Sequence, residues 1–132
     1  MDRGSMGVLE ERERIREEVL RKAKEWADGL PFKATVIIVG SYARGDFNLW
    51  SDVDVLLISE FAGNPIERLR SLDYPPGFDV IPLTPDELVR LTDRRDPLVS
   101  EALNVGVFLR DDLCIREKLK EIDGPLTSLG SE

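Results

Sequence analysis

The chain has 132 residues, the size of one ordinary domain, and 42% of them are hydrophobic, enough to build a single core. Its net charge is −8, a surface that repels a polyanion whose binding rests on neutralised phosphates, so no direct nucleic acid binding is expected. It has no histidine and one cysteine, which removes Ser-His-Asp and Cys-His catalysis, an internal disulfide, and zinc held by imidazole or a thiolate cage.

In chain order, Met1-Asp2-Arg3-Gly4-Ser5 ahead of Met6 looks like a cloning remnant. Residues 1–7 are set aside as such a leader or as a disordered N-terminus. From Val8 to about Gly29, Ile15, Val19, Leu20, Ala23, Trp26 and Ala27 recur at helical spacing among Glu, Arg and Lys, and Gly29-Leu30-Pro31 ends the helix. Its charges read as a solvated face. Lys33 to Val39 reads as a buried strand of β-formers. A short helix follows from Ser41 to about Phe47, and Phe47 to Ser51 is a loop. Asp52 to Ser59 is a second buried strand, and Pro65 to Leu72 a short helix capped by Asn64.

Tyr74-Pro75-Pro76-Gly77 turns the chain into a third strand, Phe78 to Leu83, where Pro82 points to an edge position. Thr84 and Glu87 form a capping-box signature for the next helix. Further elements are a helix over Pro97 to Leu103, a strand over Val105 to Leu109 and a helix over Asp111 to Ile122. Cys114, in the apolar Leu113-Cys114-Ile115, reads as a buried structural thiol. The expected organisation is one α/β (α+β) domain over 8–122, about four strands in a small mixed sheet flanked by helices, with a loose tail over 123–132. No apolar run approaches a membrane span, and the N-terminus carries charge where a signal peptide needs an apolar segment, so no membrane contact and a cytoplasmic location are expected.

Chemistry concentrates where the first strand ends and the second begins. Val39-Gly40-Ser41 closes an apolar run at a small turn, and Asp52-Val53-Asp54 opens the next run with two carboxylates on one face of a strand. Asp79 adds a third acid at an otherwise apolar strand position, where a charge is costly unless paired or bound to a cation. Three acids with no Lys or Arg in those strands call for a metal, and without histidine the ligands are oxygens, which favours Mg2+ or Mn2+.

This pattern resembles the nucleotidyltransferase superfamily that includes polymerase beta and kanamycin nucleotidyltransferase: a hydrophobic residue, Gly-Ser, ten residues, Asp-hydrophobic-Asp and a later lone acid. The Ala43-Arg44-Gly45-Asp46 continuation and the short chain are most similar to the minimal nucleotidyltransferases (MNT) of HEPN/MNT toxin–antitoxin pairs. The resemblance implies the nucleotidyltransferase fold and a two-metal mechanism in which Asp52, Asp54 and Asp79 hold magnesium, Asp79 also helping to deprotonate the acceptor hydroxyl. It implies that Gly40 and Ser41 bind the β- and γ-phosphates of ATP or another nucleoside triphosphate. Arg44 either reaches a triphosphate oxygen or pairs with Asp46. Tyr42 and Trp50 flank the turn, as packing more than as a base platform, and Ser51 reads as a loop cap.

Larger members carry a second domain that grips the acceptor, and this chain has no residues for one. The resemblance therefore implies a protein partner of HEPN type, whose tyrosine would receive AMP; self-association is left open. The alternative is a non-catalytic antitoxin that occludes such a partner. The intact acid triad favours the enzyme, and the acidic charge disfavours a polymerase or tRNA-end transferase.

Overall fold

Thr-Val-Ile-Ile-Val and Val-Asp-Val-Leu-Leu-Ile, the two most apolar runs, become the inner strands of a four-stranded sheet. In the computed structural model, which describes residues 3–119, the order is α1 (Arg3–Asp28), β1 (Thr35–Val39), α2 (Gly40–Arg44), β2 (Val53–Ile58), α3 (Pro65–Arg70), β3 (Phe78–Leu83), α4 (Pro85–Asp93), α5 (Pro97–Asn104) and β4 (Val107–Asp111). A last helical turn covers 115–119. The sheet runs β3-β2-β1-β4, with β1 antiparallel to β2 and β4, and β2 parallel to β3. The mixed α/β sheet is the expected one, and Pro82 does lie on an edge strand, where its missing N–H costs no ladder bond.

Strand alternation divides the core in two. Val36, Ile38, Val53, Val55 and Leu57 face Ala23 and Ala27 of α1, Tyr42 and Ala43 of α2, and Phe47. Ile37, Val39, Leu56 and Ile58 face Leu88 of α4, Val99 and Ala102 of α5, Ile115 and Leu119. Each large aliphatic side chain fully buried here contributes roughly 1.5–3 kcal/mol of transfer free energy. No helix among the described residues is long and apolar enough to cross a membrane.

Several boundaries differ from expectation. Helix α1 reaches back to Arg3, so residues 3–7, set aside as a leader, are helical. Gly4 and Gly7 each cost only about 1 kcal/mol in a helix, and no proline stops it there. Strand β4 starts at Val107 and not at Val105, because the N–H groups of Val105 and Gly106 both donate to the Glu101 carbonyl and carry the α5 turn onward. Cys114 is exposed, not buried, and has φ of 54°. The Asp111 carboxylate accepts from the N–H groups of Ile115 (2.7 Å) and Arg116 (3.1 Å), so the helix begins at 115. Cys114 takes the left-handed turn before it, and Ile115 becomes the buried residue. The expected end of that helix at Ile122 and the tail over 123–132 lie outside the described residues.

The charges of α1 are not all a solvated face. Arg12 donates to the carbonyls of Phe47 (2.8 Å) and Gly45 (3.2 Å), and Arg16 to that of Tyr42 (2.8 Å). Arg16 thus meets a carbonyl in the last turn of α2, and Arg12 meets two in the segment just after it, which together hold the loop that leads to β2.

Among the described residues, Arg68 is the buried cation. It donates to the carbonyls of Gly63 (3.0 Å) and Pro82 (3.1 Å) and to both Glu87 oxygens (2.7 and 3.2 Å), tying α3, β3 and α4 together. The hydrogen bond from Arg68, and then the backbone N–H of Thr84, hold the Glu87 carboxyl below its ordinary value of 4.5. A depressed carboxyl pKa stabilises the fold above the unfolded value and loses that stabilisation as pH falls through the folded one. Glu87→Gln should therefore cost roughly 2 kcal/mol near neutral pH, less than for a fully buried pair because Glu87 is partly exposed. The deficit should shrink as pH falls below the ordinary carboxyl value of 4.5. Urea unfolding of both proteins at neutral and acid pH measures it.

Candidate active site

The expected site residues lie at one end of the sheet. There β1 finishes, β2 and β3 start, and α5 ends just before β4. Val39 pairs with Asp54 across the antiparallel ladder, and Asp54 pairs with Asp79 across the parallel one. Asp54 and Asp79 thus sit side by side on the α4–α5 face, in register with Leu56 and Ile81. Asp54 is the one β2 residue that is not fully buried.

The turn after β1 depends on glycine. Gly40 has φ of 75°, and a Cβ there would lie 2.2 Å from Oδ2 of Asp54. The missing side chain lets the carboxylate lie directly over the backbone of the turn, while the left-handed φ redirects the chain into α2. Tyr42 is buried and stacks on Phe47 at 4.3 Å between centroids, so it is packing. Ser51 accepts from the Asn48 N–H at 2.8 Å, the loop cap expected of it. Trp50 is 87% exposed at the loop tip, where packing was expected.

Burial pushes the Asp54 carboxyl above its ordinary value, with Asp79, Asp52 and Glu101 adding repulsion and Arg44 opposing them. Asp79 is exposed, although its apolar neighbours in the sequence suggested a costly buried charge; its register opposite Asp54 brings it to this end of the sheet. Asp52 is exposed one residue before β2. Among the described residues, no group of three or more acidic, His or Cys side chains is closed up to metal-ligand geometry. The donor set is nonetheless one of hard oxygens with a surplus of negative charge around a half-buried carboxyl, which suits Mg2+ or Mn2+.

Arg44 makes both an ion pair with Asp46 (3.2 Å) and one with Glu101 (2.9 Å). The second partner was not foreseen. Glu101 comes from α5, and its carboxylate also accepts from the Gly40 N–H. No motif flags it, but it is the only charge in Pro-Leu-Val-Ser-Glu-Ala-Leu-Asn, next to the core residue Ala102.

A family model described as a nucleotidyltransferase domain matches residues 12–127. Two solved structures are similar. One is an inferred nucleotidyltransferase from Sulfolobus solfataricus, 24% identical, covering 76% of this chain and 83% of its own, with a TM-score of 0.47. The other is a toxin–antitoxin crystallised with AMP-PNP, 18% identical, covering 83% of this chain and 90% of its own, with a TM-score of 0.49. No curated protein matches the sequence.

Gly40→Ala and Gly45→Ala separate contact from strain. Gly45 has φ of 94° with nothing within 4 Å of a built Cβ, so its alanine variant should lose only the backbone cost, about 1–2 kcal/mol. Gly40→Ala adds the clash with Asp54 and should lose about 3 kcal/mol or more. Denaturant unfolding of the two variants measures the difference.

Proposed function

This chain belongs to the nucleotidyltransferase domain family, and we propose that it transfers a nucleoside monophosphate, AMP from ATP, to a hydroxyl on a protein partner. The observation that carries this reading is the Asp54–Asp79 register pair beside the side-chain-free turn at Gly40. Packing alone has no use for two adjacent carboxylates there, since like charges side by side are destabilising.

In the reaction, the acceptor hydroxyl oxygen attacks the α-phosphorus, the bond from that phosphorus to the α–β bridging oxygen breaks, and pyrophosphate leaves. Asp52, Asp54 and Asp79 would hold magnesium or manganese, which neutralises phosphate charge as it moves onto the leaving group. Asp79, exposed at the start of an edge strand, is open to an incoming acceptor and takes up the hydroxyl proton. The Gly40 and Ser41 backbone approaches the β- and γ-phosphates, and Arg44 supplies a guanidinium to them. Positioning and charge stabilisation account for the rate without a covalent enzyme intermediate.

A tyrosine of a HEPN-type protein, occupied as an antitoxin occupies its toxin, is the acceptor that this reading favours. Its support is the motif resemblance together with the match to a nucleotidyltransferase domain. The second reading, a non-catalytic antitoxin that only covers its partner, is favoured by one observation. Leu49 and Trp50, with Val8 and Leu9 of α1, are large exposed apolar side chains.

Two experiments separate the readings. Asp54→Asn removes a ligand and relieves repulsion, so melting temperature should hold or rise while transfer to a co-purified partner, read by intact mass with magnesium and ATP, disappears. Transfer at the wild-type rate would contradict the assignment. Asp79→Ala should slow transfer by about a hundredfold or more while ATP affinity falls only modestly, because its contribution is made in the transition state. Single-turnover rates and calorimetric titration measure the two quantities.

A further inference from the structure

The donors assigned to the triphosphate are already occupied. The Gly40 N–H and the Arg44 guanidinium both point at one carboxylate, Glu101, with Arg44 Nη1 2.9 Å from Oε1. A carboxylate oxygen there stands where a phosphate oxygen would stand: it is anionic and takes a backbone N–H and an arginine at once. It also comes from a different part of the chain, α5, 57 residues beyond Arg44.

Glu101 holds this position against repulsion from Asp54. Its side chain is 22% exposed, so part of it faces solvent and it has room to leave. The backbone of α5 is held by the core contacts of Val99 and Ala102, so the carboxylate can swing away by side-chain rotation while the helix stays in place.

We propose that Glu101 is an internal competitor for the nucleotide: its carboxylate occupies the Gly40 N–H and Arg44 and must vacate both when the triphosphate enters. The proposal rests on the nucleotide-binding reading above. While empty, the site is held closed by its own anion, which satisfies Arg44 and the Gly40 N–H and selects for ligands able to outbid a carboxylate. A triphosphate, with several anionic oxygens, can do so where a nucleoside or a monophosphate does so poorly.

Removing the competitor should tighten binding. A contact that serves only the fold would not do this, since its loss loosens the site. Calorimetric titration of ATP at fixed magnesium into wild type, Glu101→Gln and Glu101→Ala, each checked for a cooperative melt, tests the proposal. Both variants should bind ATP about tenfold more tightly, the gain expected when a charged competitor is removed. AMP, which lacks the β- and γ-phosphates, should gain much less. The near-isosteric glutamine keeps the packing of α5, so a fold defect confined to the alanine variant leaves the test intact. Wild-type binding with equal or weaker affinity in the variants would overturn the role of Glu101 and leave the nucleotide site standing. No ATP binding by any of the three proteins would overturn the nucleotide reading, and this proposal with it.

Discussion

The site depends on one steric condition: the carboxylate of Asp54 and the backbone of Gly40 share space that a single methyl group would fill. Val39 and Asp54 are ladder partners, so the chain must leave β1 at the point where the half-buried acid stands. Only a residue without Cβ allows that acid to lie over the turn, and only a residue free to take positive φ turns the chain at once into α2. Backbone donors and a carboxylate are thereby brought together by the central strands, whose side chains form both halves of the core.

Around that point the electrostatics are deliberately unbalanced. Asp52, Asp54, Asp79 and Glu101 act on one end of the sheet, and Arg44 is the cation that opposes them at Asp54. Elsewhere the fold pairs its buried charge closely, as Arg68 does with Glu87 and two carbonyls. The contrast separates a charge arrangement that serves stability from one that, on the proposed function, a bound cation would balance. The arginines of α1 belong to the first kind, since they close the carbonyl end of α2 and keep the turn in place.

Much of this was legible in the sequence because it rests on local rules. The β-former runs at 35–39 and 53–58, the cap at Asn64, the capping box at Thr84 and the edge proline Pro82 each declare themselves within a few residues. Side-chain alternation put Asp52 and Asp54 on one face of a strand, but the Gly40–Asp54 and Asp54–Asp79 neighbourhoods rest on a strand order and register that only the structure gives. What was not legible depends on distant contacts. Glu101 reaches Gly40 across 61 residues, and no spacing rule connects α5 to that turn. Cys114 sits among apolar neighbours, yet a carboxylate three residues earlier captures the helix N-terminus and turns the thiol outward. Arg12 and Arg16 look like any charges on a solvated helix until the loop they bind is seen.

The central claim is that the sheet end formed by Gly40, Asp54 and Asp79 is a metal–nucleotide site. A crystal structure of this chain with magnesium and a non-hydrolysable ATP analogue tests it most directly. The account predicts ions within roughly 2.0–2.6 Å of carboxylate oxygens from Asp54 and Asp79, triphosphate oxygens on the Gly40–Ser41 backbone and Arg44, and Glu101 turned away from both. Analogue bound elsewhere, or an Asp79 carboxylate more than about 5 Å from every ion, would contradict it.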